Sequence, residues 1–215
     1  INAEYGIKYF LVSLQYYGFD LSYYNSGVSQ NTMNCLKNNG MRFAILQAQN
    51  RKTISTVVID DYKRAKAAHI DDVDFNIFPT IDKDPTQQAH DTISYLKKQG
   101  VLTGFNMVWL GIEDQAYFYS SCADNQWFVS EWLKEAANIM PQGQSGIGVH
   151  SNWVHWNQIM CGWTGAKQHD LWYNNYDERE NFNDFQAFGG WTKPSQKQYA
   201  GDRAMCSTTI RKDYY

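Results

Sequence analysis

The chain has 215 residues, which is enough for one domain with a substantial hydrophobic core. Its 19 Lys and Arg against 22 Asp and Glu give a net charge of −3, so no basic excess is available to neutralise a nucleic-acid backbone. A hydrophobic fraction of 43%, including 16% aromatic residues, excludes a disordered chain, and the composition excludes a membrane protein.

Short apolar runs alternate with helical segments from about residue 17 to residue 160. Gly40 follows helix 29–39, and helix 86–99 has Pro85 at its start and Gly100 after its end. The predicted elements are strand 17–22, helix 29–39, strand 42–48, helix 57–68, strand 73–78, helix 86–99, strand 105–112, helix 123–140, strand 147–151, helix 153–160, and strands 171–176 and 196–199.

This alternation implies parallel strands with right-handed crossovers, in either a barrel or a doubly wound sheet. A nucleotide-binding sheet lacks its usual sequence support, because no Gly-x-Gly-x-x-Gly follows the first strand. We therefore predict a barrel, in which acidic residues near the strand ends are the first candidates for chemistry. Asp20, Asp74 and Glu113 are such residues.

Several segments resemble the lysozymes of glycoside hydrolase family 25, most closely their eukaryotic branch. The resemblance covers about residues 17–215, in order and at the family's spacing. The segments that carry it are Gly18-Phe19-Asp20-Leu21-Ser22, Val73-Asp74-Phe75-Asn76-Ile77-Phe78-Pro79, Val108-Trp109-Leu110-Gly111-Ile112-Glu113, Gly148-Val149-His150-Ser151, Leu171-Trp172-Tyr173 and Phe188-Gly189-Gly190-Trp191-Thr192-Lys193-Pro194.

The resemblance implies a single (β/α)5(β)3 barrel domain over residues 17–215, preceded by an extension over residues 1–16. It also implies cleavage of the β-1,4 bond between N-acetylmuramic acid and N-acetylglucosamine in peptidoglycan, with no metal or other cofactor. The general acid of the family corresponds to Glu113, and Asp20 is a further acid of the site.

Two acidic positions depart from the family pattern, and Asn76 and His150 stand where members of the family commonly carry tyrosine. The aspartate two residues before the general acid is replaced by Gly111, and an acid expected on the last strand is replaced by Arg211. Loss of one preorganised electrostatic group typically costs about 10²–10³ in rate. We also expect Arg211 to pair with Glu113, Asp20 or Asp74 and to lower the pKa of Glu113. Hydrolysis of peptidoglycan is therefore predicted to be absent or at least about a hundredfold slower than in a typical member of the family.

The predicted cleft-lining residues combine acids, departures from the family and aromatic side chains. For Trp172 the barrel wall is the favoured position, and for Tyr176 a surface for sugar stacking. The histidines match no metal-binding spacing. The complete set of predicted cleft-lining residues is Asp74, Gly111, Arg211, Trp172, Tyr173 and Tyr176.

Three functions remain open. The favoured one is a lysozyme-like protein without hydrolytic activity that binds peptidoglycan or another N-acetylated glycan, or has a structural role. The second is an active muramidase in which Asp74 or Asp114 replaces the missing carboxylate. The third is a subunit of a protein assembly whose cleft is blocked.

Four cysteines, with no Cys-x-x-Cys motif, favour two disulfides in a secreted, secretory or lysosomal protein over four buried thiols in the cytosol. From their positions in the barrel we predict the pairs Cys35–Cys206 and Cys122–Cys161. The apolar run over residues 7–14 is interpreted as an additional strand or the remnant of a signal segment.

Overall fold

A closed barrel of eight strands forms the centre of the computed structural model, which describes residues 16–70, 72–102, 106–140 and 146–215. Five α-helices, a short additional strand and two turns of 3-10 helix, Tyr23–Asn25 and Gln115–Tyr117, complete the described part of the chain. The elements are β1 Tyr17–Leu21, α1 Gln30–Asn38, β2 Phe43–Asn50, β3 Thr53–Ile54, α2 Val58–Ala67, β4 Asp72–Phe78, α3 Pro85–Lys98, β5 Met107–Gly111, α4 Cys122–Ile139, β6 Gly146–Ser151, α5 Trp153–Met160, β7 Asp170–Asn174, β8 Gln196–Met205 and β9 Thr208–Tyr214.

The strand order confirms the predicted (β/α)5(β)3 barrel. Around the barrel the order is β1-β9-β8-β7-β6-β5-β4-β2, and parallel pairing of β2 with β1 closes it. Only β9 among these eight described strands runs antiparallel, pairing with β8 on one side and β1 on the other. Strand β3 forms a short hairpin with the end of β2.

Local signals in the sequence fix where the helices begin. The side chains of Ser29, Asp84, Ser121 and Asn152 each accept a hydrogen bond from a backbone N–H in the first turn of α1, α3, α4 and α5. Gly40 follows α1 with a φ of +90°, as its position after the helix predicts. The helices therefore lie within two residues of their predicted bounds.

Alternation along the strands separates two cores. Outward-facing side chains such as Phe19, Leu46 and Phe75 pack against the helices in the larger core. Inward-facing Phe43, Ile45, Trp109 and Trp172 fill the barrel. The interior of the barrel is therefore filled with side chains, and a ligand can reach the barrel only at its ends.

The β8–β9 hairpin is longer than the sequence indicates. Strand β8 continues to Met205, six residues beyond the predicted end, because β9 pairs with it along this length. The predicted extension over residues 1–16 lies outside the described residues except for Tyr16. Tyr16 exchanges backbone hydrogen bonds with Tyr215, and the two rings stack with centroids 5.4 Å apart.

Both disulfides form the predicted pairs. Cys35 in α1 is joined to Cys206 in the turn between β8 and β9, across 171 residues of chain. Cys122 at the start of α4 is joined to Cys161 at the end of α5. No helix in the described part of the chain is long and apolar enough to cross a membrane.

Candidate active site

Glu113 lies two residues past β5, at the carboxyl end of the barrel that we call the mouth. Its side chain is 17% exposed, and Oε1 accepts a hydrogen bond from Asn174 Nδ2 at the end of β7. His150 Nε2 lies 3.6 Å from the same oxygen, and the His150 ring stacks on Trp172 with centroids 3.6 Å apart. Three neighbouring strand ends thus hold the glutamate.

Burial raises the pKa of Glu113 to about 7. The nearby charges of Arg211 and Arg51 and the hydrogen bond from Asn174 lower it, whereas the charge of Asp20 raises it. The expectation that Arg211 would depress this pKa is therefore wrong in its net result, because desolvation outweighs the attraction of the guanidinium. Glu113 keeps a proton to donate near neutral pH.

Arg211 reaches the mouth from β9, as predicted. Its Nη1 lies 3.7 Å from Oδ1 of Asp20, and its Nε donates to Oδ1 of Asp202 at 3.0 Å. Asp20 also accepts from Gln198 Nε2 at 2.6 Å. Burial raises the pKa of Asp20 to about 6, against the attraction of Arg211. Arg211 is therefore held by two acids, and Asp202 was not anticipated from the sequence.

Asp213 is a buried acid that the sequence analysis did not single out. It lies two positions after Arg211 on β9, so both side chains face the barrel interior. Trp172 Nε1 donates to its Oδ1 at 3.0 Å. Burial first, and then the charge of Asp20, raise the pKa of Asp213 well above the usual range. The alternation of β9 could have identified it once the strand was recognised.

The space beside Gly111 is occupied. A Cβ placed on Gly111 would lie 2.7 Å from Cδ1 and Cε1 of Phe78, at the end of the adjacent strand β4. The Arg51 guanidinium lies 5.6 Å from the centre of the Phe78 ring and 3.2 Å from that of Tyr117. The ring of Phe78 therefore overlaps the position that a Cβ would take at residue 111, so a larger side chain there requires the ring to shift. The sequence analysis missed both Phe78 and Arg51.

Asp74 lies at the opposite end of the barrel from Glu113, which corrects its prediction as a cleft residue. Its two oxygens accept hydrogen bonds from Met107 N at 2.8 Å and Trp109 Nε1 at 3.1 Å. It lines a cavity of about 290 Å³ at the amino ends of the strands. The reason is its position near the start of β4, about four residues or 13 Å below the mouth.

Asp114 also fails as a substitute for the missing carboxylate. It is exposed, and its Oδ1 accepts from Ala116 N at 3.1 Å, which caps a turn of 3-10 helix. Neither acid proposed as a replacement is therefore placed beside Glu113 as a second carboxylate inside the mouth.

The three predicted aromatic residues occupy different environments. Trp172 is fully buried in the barrel, so it is a wall and offers no surface to a ligand. Tyr173 is buried outside the barrel, with its hydroxyl donating to Asp184. Tyr176 is 52% exposed, and its hydroxyl donates to Oε1 of Gln198 at 2.6 Å. Of these three residues, only Tyr176 presents a ring face at the mouth.

Exposed aromatic side chains surround the mouth. Tyr24, Tyr117 and Tyr176 follow β1, β5 and β7, and each is at least 45% exposed. We call these three residues the aromatic rim. Flat apolar rings close to amide side chains suit sugars, which have apolar ring faces edged with hydroxyl groups.

A groove of about 270 Å³ adjoins the mouth between the start of α5 and residues 184–188. We call it the α5 groove. Asn174 belongs to both places, because it lines the groove and donates to Glu113. Within the described ranges, no group of three or more His, Cys, Asp or Glu side chains could hold a metal ion.

Comparison with known proteins identifies the family. The family model described as Lysozyme-like protein 1 matches residues 14–199. Probable GH family 25 lysozyme 5 of Dictyostelium discoideum is 33% identical over 208 residues, covering 96% of this chain and 93% of that protein. This chain belongs to the family 25 lysozymes of the glycoside hydrolases.

Solved structures share the fold at low sequence identity. The family GH25 lysozyme from Aspergillus fumigatus aligns with a TM-score of 0.69 and 19% identity, covering 94% of this chain and 93% of that one. The modular autolysin LytC from Streptococcus pneumoniae, in complex with a synthetic peptidoglycan ligand, aligns with a TM-score of 0.73 and 12% identity, covering 94% of this chain and 47% of that one.

Proposed function

We propose that this chain binds N-acetylated glycans of the peptidoglycan type at the barrel mouth and hydrolyses them at least about a hundredfold more slowly than an active lysozyme of the family. The observation that carries the proposal is the Phe78 ring in the space beside Gly111. The site thus lacks a carboxylate at this position, and the ring would have to move before one could be accommodated.

Slow hydrolysis follows from the charges that remain. Glycosidases use a pair of carboxyl groups around a transition state with positive charge on the sugar. Glu113 can donate a proton, but glycine at position 111 supplies no second carboxylate beside it. Arg51 and Arg211 add positive charge to the site. Asp20 is engaged by Arg211 and Gln198. Stabilisation of the developing charge is therefore weak.

Glycan binding requires less of the site than hydrolysis does. The aromatic rim offers ring faces. The amide groups of Asn76, Asn174 and Gln198 lie on β4, β7 and β8 in the half of the barrel next to the mouth. The Oδ1 atom of Asn76 is buried and has no hydrogen-bond partner among the described residues. The peptidoglycan ligand of the related autolysin supports this class of ligand.

An active muramidase is the second candidate, and one observation favours it. A pKa of about 7 for Glu113 is suitable for a general acid. In that case Asp20 would have to act as the second carboxyl group. Two disulfides support a secreted or lysosomal site of action for either function.

Two measurements on the same preparation test the proposal. We expect the protein to sediment with insoluble peptidoglycan and to leave the turbidity of a bacterial cell-wall suspension unchanged between pH 4 and 8, the range where Glu113 titrates. Ordinary lysis that is abolished by Glu113→Gln would establish the muramidase. Absence of both lysis and sedimentation would favour a subunit of a protein assembly.

A further inference from the structure

We propose that the α5 groove is a separate sugar subsite, in which one further N-acetylated ring of the same glycan stacks on Trp153. This inference rests on the proposed function, because it assumes that a glycan occupies the mouth. The α5 groove is then a second contact region for the glycan, and Trp153 determines which length of glycan binds most tightly.

Trp153 is placed to act as a stacking surface. It is the first residue of α5, and its side chain is 52% exposed. The neighbouring Val154 is 49% exposed. The other tryptophan of this helix, Trp156, is fully buried against Trp191. Helix α5 thus uses one tryptophan for the core and presents the other at the groove, where a sugar face can lie against it.

Amide side chains provide the polar contacts of the groove. Asn152 Nδ2 donates to Asn174 Oδ1 at 2.6 Å, and Asn175 Nδ2 donates to Asp184 at 2.8 Å. Asn152 Oδ1 also accepts from His155 N, and Asn174 Nδ2 also donates to Glu113. An amide has two donor hydrogens and two acceptor lone pairs, so Asn152 keeps one donor hydrogen and both Asn152 and Asn174 keep one acceptor lone pair for a ligand. An acetamido group, which is itself a donor and an acceptor, matches this set.

The charges of the groove favour a neutral ligand. Asp184 is the only ionisable acid among its described lining residues, and no Lys or Arg lines it. Lys197, which is fully buried, lies 2.6 Å from Asp184 Oδ1, and the Tyr173 hydroxyl also donates to this carboxylate. The carboxylate is therefore neutralised from within the protein, and a free ion gains little by binding here.

Asn174 joins the groove to the mouth. Its Nδ2 contacts Glu113 and its Oδ1 contacts Asn152, so the two regions lie on either side of one side chain. A glycan that fills the mouth can therefore extend into the groove without leaving the surface. Long oligomers should bind more tightly than short ones, because the second contact is then intramolecular.

The test uses β-1,4-linked oligomers of N-acetylglucosamine with three and six rings, titrated by calorimetry. We expect the six-ring oligomer to bind more tightly to the unmodified protein. Trp153→Ala should weaken that binding by about tenfold, as expected for loss of one stacked ring, and should remove the length preference. Trp153→Phe should restore part of it.

Trp127→Ala is the matched control, because Trp127 is 54% exposed on α4 and lines neither the mouth nor the groove. It should leave binding of both oligomers unchanged, and thermal unfolding should show that both variants are folded. Equal binding of the six-ring oligomer by Trp153→Ala and the unmodified protein would overturn the subsite and leave the proposed function intact. If the unmodified protein binds neither oligomer nor peptidoglycan, the proposed function itself fails.

Discussion

Residues 78 and 111 share one volume at the mouth. Glycine at 111 leaves room that the Phe78 ring fills, and Arg51 lies against that ring. An exchange at either position therefore changes the packing of the other. The substitution at 111 is consequently a change in shape as well as in charge, and its reversal has to satisfy both.

Gly111→Asp is expected to lower the free energy of unfolding by about 1–3 kcal/mol, because overpacking displaces the Phe78 ring. With Phe78→Ala the new side chain gains space, so the double variant should be more stable than the sum of the single effects predicts. Urea denaturation of the four proteins measures this interaction energy. Strict additivity would contradict the close contact.

Recovery of lysis is expected only when shape and charge are both corrected. Gly111→Asp with Arg211→Asp still leaves Phe78 in the way, so turbidity should remain constant. Addition of Phe78→Ala to this pair should produce measurable clearing of a cell-wall suspension. Clearing by the pair without the third change would show that the ring moves aside easily.

Glu113 should make the stability of the protein depend on pH. Its pKa is about 7 in the folded state against an ordinary value of 4.5, so the folded state binds more protons than the unfolded state between these values. Stability therefore falls as pH rises through this window and stays lower above it. The cost is at most about 3.5 kcal/mol, since the pKa rises from 4.5 to about 7 and one pKa unit corresponds to about 1.4 kcal/mol.

Glu113→Gln removes this titration and keeps an oxygen for Asn174, so the variant should gain stability over the unmodified protein as the pH rises from 5 to 8. Thermal melts at several pH values measure the difference. Glu131→Gln, on α4, is the control for the loss of a carboxylate away from the mouth. A constant difference between Glu113→Gln and the unmodified protein at every pH would mean that Glu113 titrates normally.

At the scale of elements, the β8–β9 hairpin forms one side of the mouth. It carries Gln198, Asp202 and Arg211, and the disulfide from its turn to Cys35 in α1 fixes its far end. The segment that follows β7 is fixed differently, by ion pairs of the buried Lys197 to Asp177 and Asp184. The mouth is thus built from elements that are anchored outside it.

The two disulfides should contribute unequally. Cys35 and Cys206 are 171 residues apart, and Cys122 and Cys161 are 39 apart. In the chain-entropy model these loops correspond to about 5 and about 4 kcal/mol. Replacement of the first pair by serines should therefore lower the unfolding midpoint in urea further than the same replacement of the second. Equal losses would show that the unfolded chain is already constrained.

For the whole molecule, the sequence was sufficient for the barrel and for part of the site. Alternation of strands and helices, together with the family motifs, predicted the architecture and placed Glu113 and Asp20 at the mouth. Asp74 was misplaced because its distance from the strand end decides which end of the barrel it faces. Phe78 and Arg51 could not be predicted, because their contacts depend on side-chain positions across neighbouring strands.

The contact between Phe78 and Gly111 also has an evolutionary consequence. A chain that regains aspartate at 111 first meets a clash with the ring, and a chain that first shortens residue 78 is left with a void and with no carboxylate to fill it. Each single step is therefore unfavourable, although the two together are compatible. The effects of the two substitutions therefore depend on each other. With the mouth packed as it is, every single substitution towards a carboxylate pair destabilises the protein, so glycine is retained at 111.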